Sequence, residues 1–222
     1  MQTTQIGNLH WCTENLNVRH FRNGDQIPLA TSLREVLNYA AHQQPCCCYY
    51  NFDDSNKMYG LLYNWYAVYD GREIAPEGFR VANHFDVEVM FEELKNLNLQ
   101  QYEYNILEKN VLFQQSQFNP TPTGYLSIEE EENADFEDLH KYAWYWTSSP
   151  ISFSEQEDWA PVYNFHNENW NEGFYEAMLY AYNHEASEEA KGSMLAVRCV
   201  KTETGNSSIA DQLDDLLSGL TF

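Results

Sequence analysis

The densest concentration of chemically versatile side chains lies between Asp158 and His184. It holds Asp158, Trp159, Tyr163, Asn164, His166, Asn167, Asn169, Trp170, Asn171 and Tyr175, followed by Tyr180, Tyr182, Asn183 and His184. Recognition surfaces use this mixture: flat rings supply contact area at low entropic cost, and amides supply adaptable donors and acceptors. Sugar recognition draws on the same tools, ring stacking beside planar amides and carboxylates. These residue types therefore point to non-covalent binding of a protein or glycan. The competing reading of the same stretch is a decorated hairpin loop with its tryptophan tucked inward.

Catalytic patterns are poorer. Of His10, His20, His42, His84, His140, His166 and His184, only the last two fall near that stretch. Two imidazoles without a firm third ligand do not define a metal centre. The cysteines are Cys12, the run Cys46–Cys48, and Cys199. An odd count with three consecutive thiols is no orderly disulfide framework, and no CxxC spacing offers a zinc site. Buried or spare thiols in a reducing compartment are the simplest account. There is no Gly-x-Ser-x-Gly elbow and no glycine-rich phosphate loop. The acidic block Glu129–Asp135 lacks the alternating oxygens and central glycine of a calcium loop, and reads as a solvated, mobile loop. The expectation is a protein with no catalytic residues, no metal and no cofactor.

Charge narrows the partners. Across 222 residues, 12 Lys and Arg face 34 Asp and Glu, a net charge of −22. Such a surface repels phosphate backbones, which argues against nucleic acid and anionic membranes. No apolar run reaches the roughly 18–20 residues that span a bilayer, so no membrane insertion is expected. Met1–Gln5 has neither the basic nor the apolar region of a secretory leader. The expected compartment is cytoplasmic as written, or extracellular and surface-displayed if a leader has been removed.

The elements that must position these groups are legible in part. Aromatics make up 15% of the chain, which suits short strands and loops around a ring-rich core. Asn23-Gly24-Asp25 is a hairpin-type turn. Ser32–Ala41 suits a short helix with Leu33, Val36 and Leu37 on one face. In Leu61–Val68, periodicity does not separate helix from strand. The clearest helix spans 83–97: Asn83 and Asp86 make a capping-box-like pair, and Val87, Met90, Phe91, Leu94 and Leu97 recur at helical spacing. Residues 100–140 read as long loops with a short strand or two, and Asn119–Gly124 as turn chemistry. Short strands are expected at 143–147, 159–165, 178–182 and 195–200, the last closing the core. A polar linker leads to an amphipathic helix at 208–220, which packs back or docks onto a partner.

In order, the segments resemble the Fibrobacter succinogenes major paralogous domain family. The matching strings are Ile6-Gly7-Asn8 with Trp11, Glu14-Asn15-Leu16-Asn17-Val18, Arg22-Asn23-Gly24-Asp25 with Ile27-Pro28, and Asp54-Ser55-Asn56-Lys57. They continue with Tyr59-Gly60, Leu62-Tyr63-Asn64-Trp65-Tyr66-Ala67-Val68, Pro76-Glu77-Gly78-Phe79-Arg80-Val81, Tyr145-Trp146-Thr147-Ser148-Ser149 and Val197-Arg198-Cys199-Val200. The resemblance spans roughly residues 5–201 and implies an α+β, C-type-lectin-like fold, so residues 1–201 are expected to form that domain and residues 202–222 the linker and helix read above. It implies short antiparallel sheets, paired N- and C-terminal strands, a helix after the Pro-Glu-Gly element, and a small late sheet presenting the ligand face.

Relatives of this fold serve as variable proteins of diversity-generating retroelements, as calcium-assisted lectins and as adhesion subunits. Trp170-Asn171-Glu172 echoes only one half of a lectin calcium site. Kinship with formylglycine-generating and sulfoxide-forming enzymes would require a reactive cysteine or histidine-held iron. Family members often carry a cysteine where this chain has Ala75, so a bond from there to Cys199 is ruled out.

Overall fold

The N-terminal segment folds on itself as a hairpin, β1 (Thr3–Ile6) and β2 (Leu9–Cys12), turned at Gly7 with a φ of +59° that glycine accepts without strain. In this computed structural model, residues 1–97, 118, 120–128, 134–149, 159–166, 176–178 and 188–202 are described. The turn at Asn23–Asp25 forms as expected: Gly24 has φ +92°, and Phe21 N–H donates to Asp25 C=O at 2.9 Å. Helix α1 (Leu33–Ala41) is capped by Ser32, and Glu35 reaches back to Thr31 N–H at 2.6 Å. Val36 is buried, with Leu33 and Leu37 packed around it.

The ambiguous run at 61–68 proves to be both elements. Strand β3 (Cys47–Cys48) pairs with β4 (Leu62–Tyr63), and the chain then turns directly into α2 (Trp65–Val68). Asn64 makes the switch. Its Oδ1 accepts from Ala67 N–H and Cys46 N–H, and its Nδ2 donates to Gln44 C=O. Strand β5 (Phe79–Val81) leads to α3 (His84–Leu97), where the capping box closes in both directions. Asp86 N–H donates to Asn83 Oδ1 at 2.9 Å, and Asn83 N–H to Asp86 Oδ2 at 2.7 Å. Val87 and Met90 are fully buried as the helical spacing predicts.

Strands β6 (Thr123–Ser127) and β7 (Asp135–Leu139) pair with each other, so Thr123 and Gly124 belong to a strand rather than to the expected turn. Gly124 sits at φ +58°, and a Cβ there would collide with Glu137 C=O. Glycine is needed for close approach at that point, not for reversal. Next come β8 (Tyr142–Trp146), β9 (Trp159–His166), β10 (Glu176–Met178), β11 (Glu188–Ala190) and β12 (Cys199–Lys201).

One sheet has the order β1-β2-β12-β5, so the terminal strands pair as expected. In a second sheet β9 pairs antiparallel with β8, β10 and β11. The described residues thus form an α+β architecture of few helices and short antiparallel sheets. The first sheet separates two buried clusters, because alternate residues point to opposite faces. Trp11 and Val200 belong to one cluster, Cys12, Val81 and Cys199 to the other.

The expected closing strand at 195–200 is only partly regular. Ladder pairing begins at Cys199, and before it each residue bonds a different element. Met194 exchanges backbone bonds with Leu126, Leu195 with Tyr63, and Ala196 bridges Trp144 and Trp146. Val197 C=O accepts from Leu16 N–H at 2.8 Å, and Arg198 C=O from Ala82 N–H at 3.1 Å. A segment serving so many partners cannot sit in one ladder, which is why alternation alone misread it. No helix among the described residues is long and apolar enough to cross a membrane. The acidic block at 129–133 and the helix expected at 208–220 lie outside the described residues.

Candidate functional site

The β8–β9–β10 register sorts the late aromatic region into two faces. Tyr145 lies opposite Tyr163, Trp144 opposite Asn164, and Tyr142 opposite His166. Asn164 in turn pairs with Met178, and His166 with Glu176. Directly opposed residues of an antiparallel pair share a face. One face therefore carries Tyr145 and Tyr163; the other carries Tyr142, Trp144 and the positions of Asn164, His166, Glu176 and Met178.

The first of these faces is core. Tyr163 is fully buried, and its ring stacks on Tyr145 with centroids 5.0 Å apart and planes 24° apart. Burial pushes its phenol well above the ordinary tyrosine range. Tyr163, expected on the outward surface, is therefore not a contact residue there; its neighbours Ala143 and Tyr145 are equally enclosed.

The second face opens progressively. Trp146 at one end is fully buried, and its Nε1–H donates to Tyr63 C=O at 2.7 Å. Trp144 and Tyr142 further along are each only partly covered. Their rings are stacked at 5.9 Å and 26°, and Tyr125 lies against Trp144 at 5.3 Å. The buried Trp144 Nε1–H has no hydrogen-bond acceptor among the described residues. Tyr125 O–H reaches Glu137 Oε2 at 3.5 Å. The result is a row of three rings with a carboxylate at its side.

Of the other expected site residues, Trp159, Asn164 and His166 lie on β9, at the backbone positions given above. Asp158, Asn167, Asn169, Trp170, Asn171, Tyr175, Tyr180, Tyr182, Asn183 and His184 lie outside the described residues. Tyr142 and Trp144 are candidates outside the amide-rich stretch after 158, which the residue types alone favour. Their signal was present in Tyr142-Ala143-Trp144-Tyr145-Trp146, where period-two alternation gives one strand face three rings.

The strings that carried the family resemblance have a different job. Arg198 is fully buried: its Nε donates to Asn15 Oδ1 at 2.7 Å, and its Nη1 to the Cys12 and Phe118 carbonyls at 2.8 Å each. The Phe118 ring covers the guanidinium at 4.8 Å. Tyr63 O–H donates to Val18 C=O and accepts from Val18 N–H, both at 2.8 Å. Arg22 donates to Ala75 C=O and to Phe79 C=O and pairs with Glu73. Each of these polar groups satisfies backbone of a distant segment, so the motif residues build the frame.

A cleft of about 500 Å³ and another of about 270 Å³ adjoin at Arg22, Ile74 and Ala75. The Arg22 guanidinium is already engaged by those carbonyls and by Glu73. All five cysteines are buried free thiols, and burial pushes Cys12 up to about 11 and Cys47 to about 12. Thiols so raised are protonated at neutral pH, which makes them poor nucleophiles. No group of three His, Cys, Asp or Glu side chains suited to a metal occurs among the described residues.

A mixed α+β domain whose terminal strands pair, with recognisable strings bonding its frame together, is the class this geometry defines. The chain belongs to the Fibrobacter succinogenes major domain family, whose model matches residues 4–201. No curated protein matches the chain, and no solved structure does.

Proposed function

We propose that this chain is a non-catalytic recognition domain of C-type-lectin-like fold, binding a protein or glycan surface through the open face of the β8–β9–β10 sheet. The carrying observation is the register that sets partly exposed Tyr142 and Trp144 on one face with the positions of Asn164 and His166. Tyr and Trp positions paired in register with Asn and His positions offer the residue types that suit adaptable, water-tolerant contact. The division of labour supports the same reading, since the motif side chains are engaged with backbone and the five thiols are buried. Support for the lectin-like fold comes from the β2–β12 pairing of the chain ends and from α3 following Pro76–Gly78.

The test is a screen of the full chain against glycan and protein arrays, with and without chelator, repeated with Tyr142→Ala. A ligand lost by the variant supports the reading, and loss on chelation would assign the contact to a cation. Array signals that are indifferent to substitutions along this face contradict it.

A further inference from the structure

We propose that Cys12 and Cys199 form a disulfide site that clamps the second strand to the last under oxidising conditions. Trp11 lies opposite Val200 in the antiparallel β2–β12 pair, so the next rung sets Cys12 opposite Cys199. Opposed residues share a face, and the burial pattern agrees. Trp11 and Val200 enter one core cluster, while Cys12 and Cys199 enter the other, each fully buried. Opposed Cα atoms in an antiparallel pair stand roughly 4.5–5.5 Å apart, inside the range of about 4.4–6.8 Å that a disulfide spans. Cys12 closes its strand, and its Sγ lies 4.0 Å from Met1 Sδ.

The remaining thiols are placed otherwise. Cys47 lies opposite Tyr63 and Cys48 opposite Leu62. Cys46 contacts Met194 Sδ at 3.9 Å. The cross-strand partner of Cys199 on its other side is Val81. Cys12 is thus the thiol that the register brings to Cys199, independently of the Ala75 position.

The oxidant is a small-molecule disulfide such as oxidised glutathione. The Cys12 thiolate, having lost its proton to solvent, attacks one glutathione sulfur and expels a glutathione thiolate. Cys199, deprotonated in turn, attacks the Cys12 sulfur of the mixed disulfide and expels the second. Two thiols are oxidised, one external disulfide is reduced to two thiols, and the protons end on the leaving groups. Because both thiols are buried, exchange proceeds as the strands assemble or open, not on the closed sheet.

The experiment refolds the full chain from denaturant in glutathione buffers of graded potential, then quenches with an alkylating agent and maps peptides by mass. The expected result is one disulfide joining the peptides of Cys12 and Cys199, three alkylated thiols, and a Tm raised on the order of 10 °C over the reduced protein. Cys12→Ser should abolish the link, and the triple variant Cys46→Ser, Cys47→Ser, Cys48→Ser should keep it. Five alkylated thiols in refolded wild type at every potential, or a link confined to residues 46–48, would overturn the proposal.

Discussion

The frame built around the β1-β2-β12-β5 sheet and the sheet around β9 use polar side chains in opposite ways. In the first, Asn15, Asn64 and Arg198 are buried, and each is bonded to backbone or to another motif residue. In the second, the ring row of Tyr142 and Trp144 remains partly open, with Trp144 Nε1–H unmatched among the described residues. Recognisable strings therefore mark where the fold must satisfy buried polar groups, since an unmet buried donor or acceptor is expensive. The proposed contact face draws on residues that such strings do not claim.

The largest effect should come from breaking the first region at its centre. Arg198→Met removes the donors for the Cys12 and Phe118 carbonyls and for Asn15 Oδ1. Destabilisation of about 3–5 kcal/mol is expected by urea denaturation. Asn64→Ala strips the α2 cap and strands Cys46 N–H and Gln44 C=O, for a loss of about 2–3 kcal/mol. If either substitution left stability unchanged but altered ligand binding, the division between frame and face would fail.

Within the second region the expected effect falls on binding. Tyr142→Ala should weaken a ligand by about 1–3 kcal/mol while leaving the urea midpoint nearly unmoved. Outside that sheet, Asp86→Ala opens the capping box of α3 and removes the carboxylate that Arg80 grips, for a loss of roughly 1–2 kcal/mol of stability.

The smallest effect concerns pH. The hydrogen bond and charge of Arg72 hold the Asp70 carboxyl below its ordinary 3.8. A lowered carboxylate contributes stability that is fully present above 3.8 and fades as pH falls through its folded value. The deficit of Arg72→Gln against wild type should accordingly be present at neutral pH and shrink below 3.8, measured by denaturation across that range.

Where local chemistry decides the outcome, the sequence was a good guide. The Asn83–Asp86 box, the Ser32 cap, the Asn23–Asp25 turn and the buried Val87 and Met90 follow from side chains acting within a few residues. Three features were hidden because they depend on distant partners. Leu61–Val68 becomes strand then helix only because Asn64 bonds both Cys46 and Ala67. Gly124 looks like turn chemistry until Glu137 is set against it. Tyr163 suits a binding surface by type, and only pairing with Tyr145 shows that its face is core. The candidate region was legible in the residue types, while the face proposed within it depended on strand register.

The most direct test sets Tyr142→Ala beside Tyr163→Phe and measures each variant's binding to one array-identified ligand by calorimetry. Tyr142→Ala should lose affinity roughly 5- to 150-fold, the equivalent of about 1–3 kcal/mol, and Tyr163→Phe should bind like wild type. Intact binding by Tyr142→Ala together with lost binding by a folded Tyr163→Phe would contradict the proposed contact face.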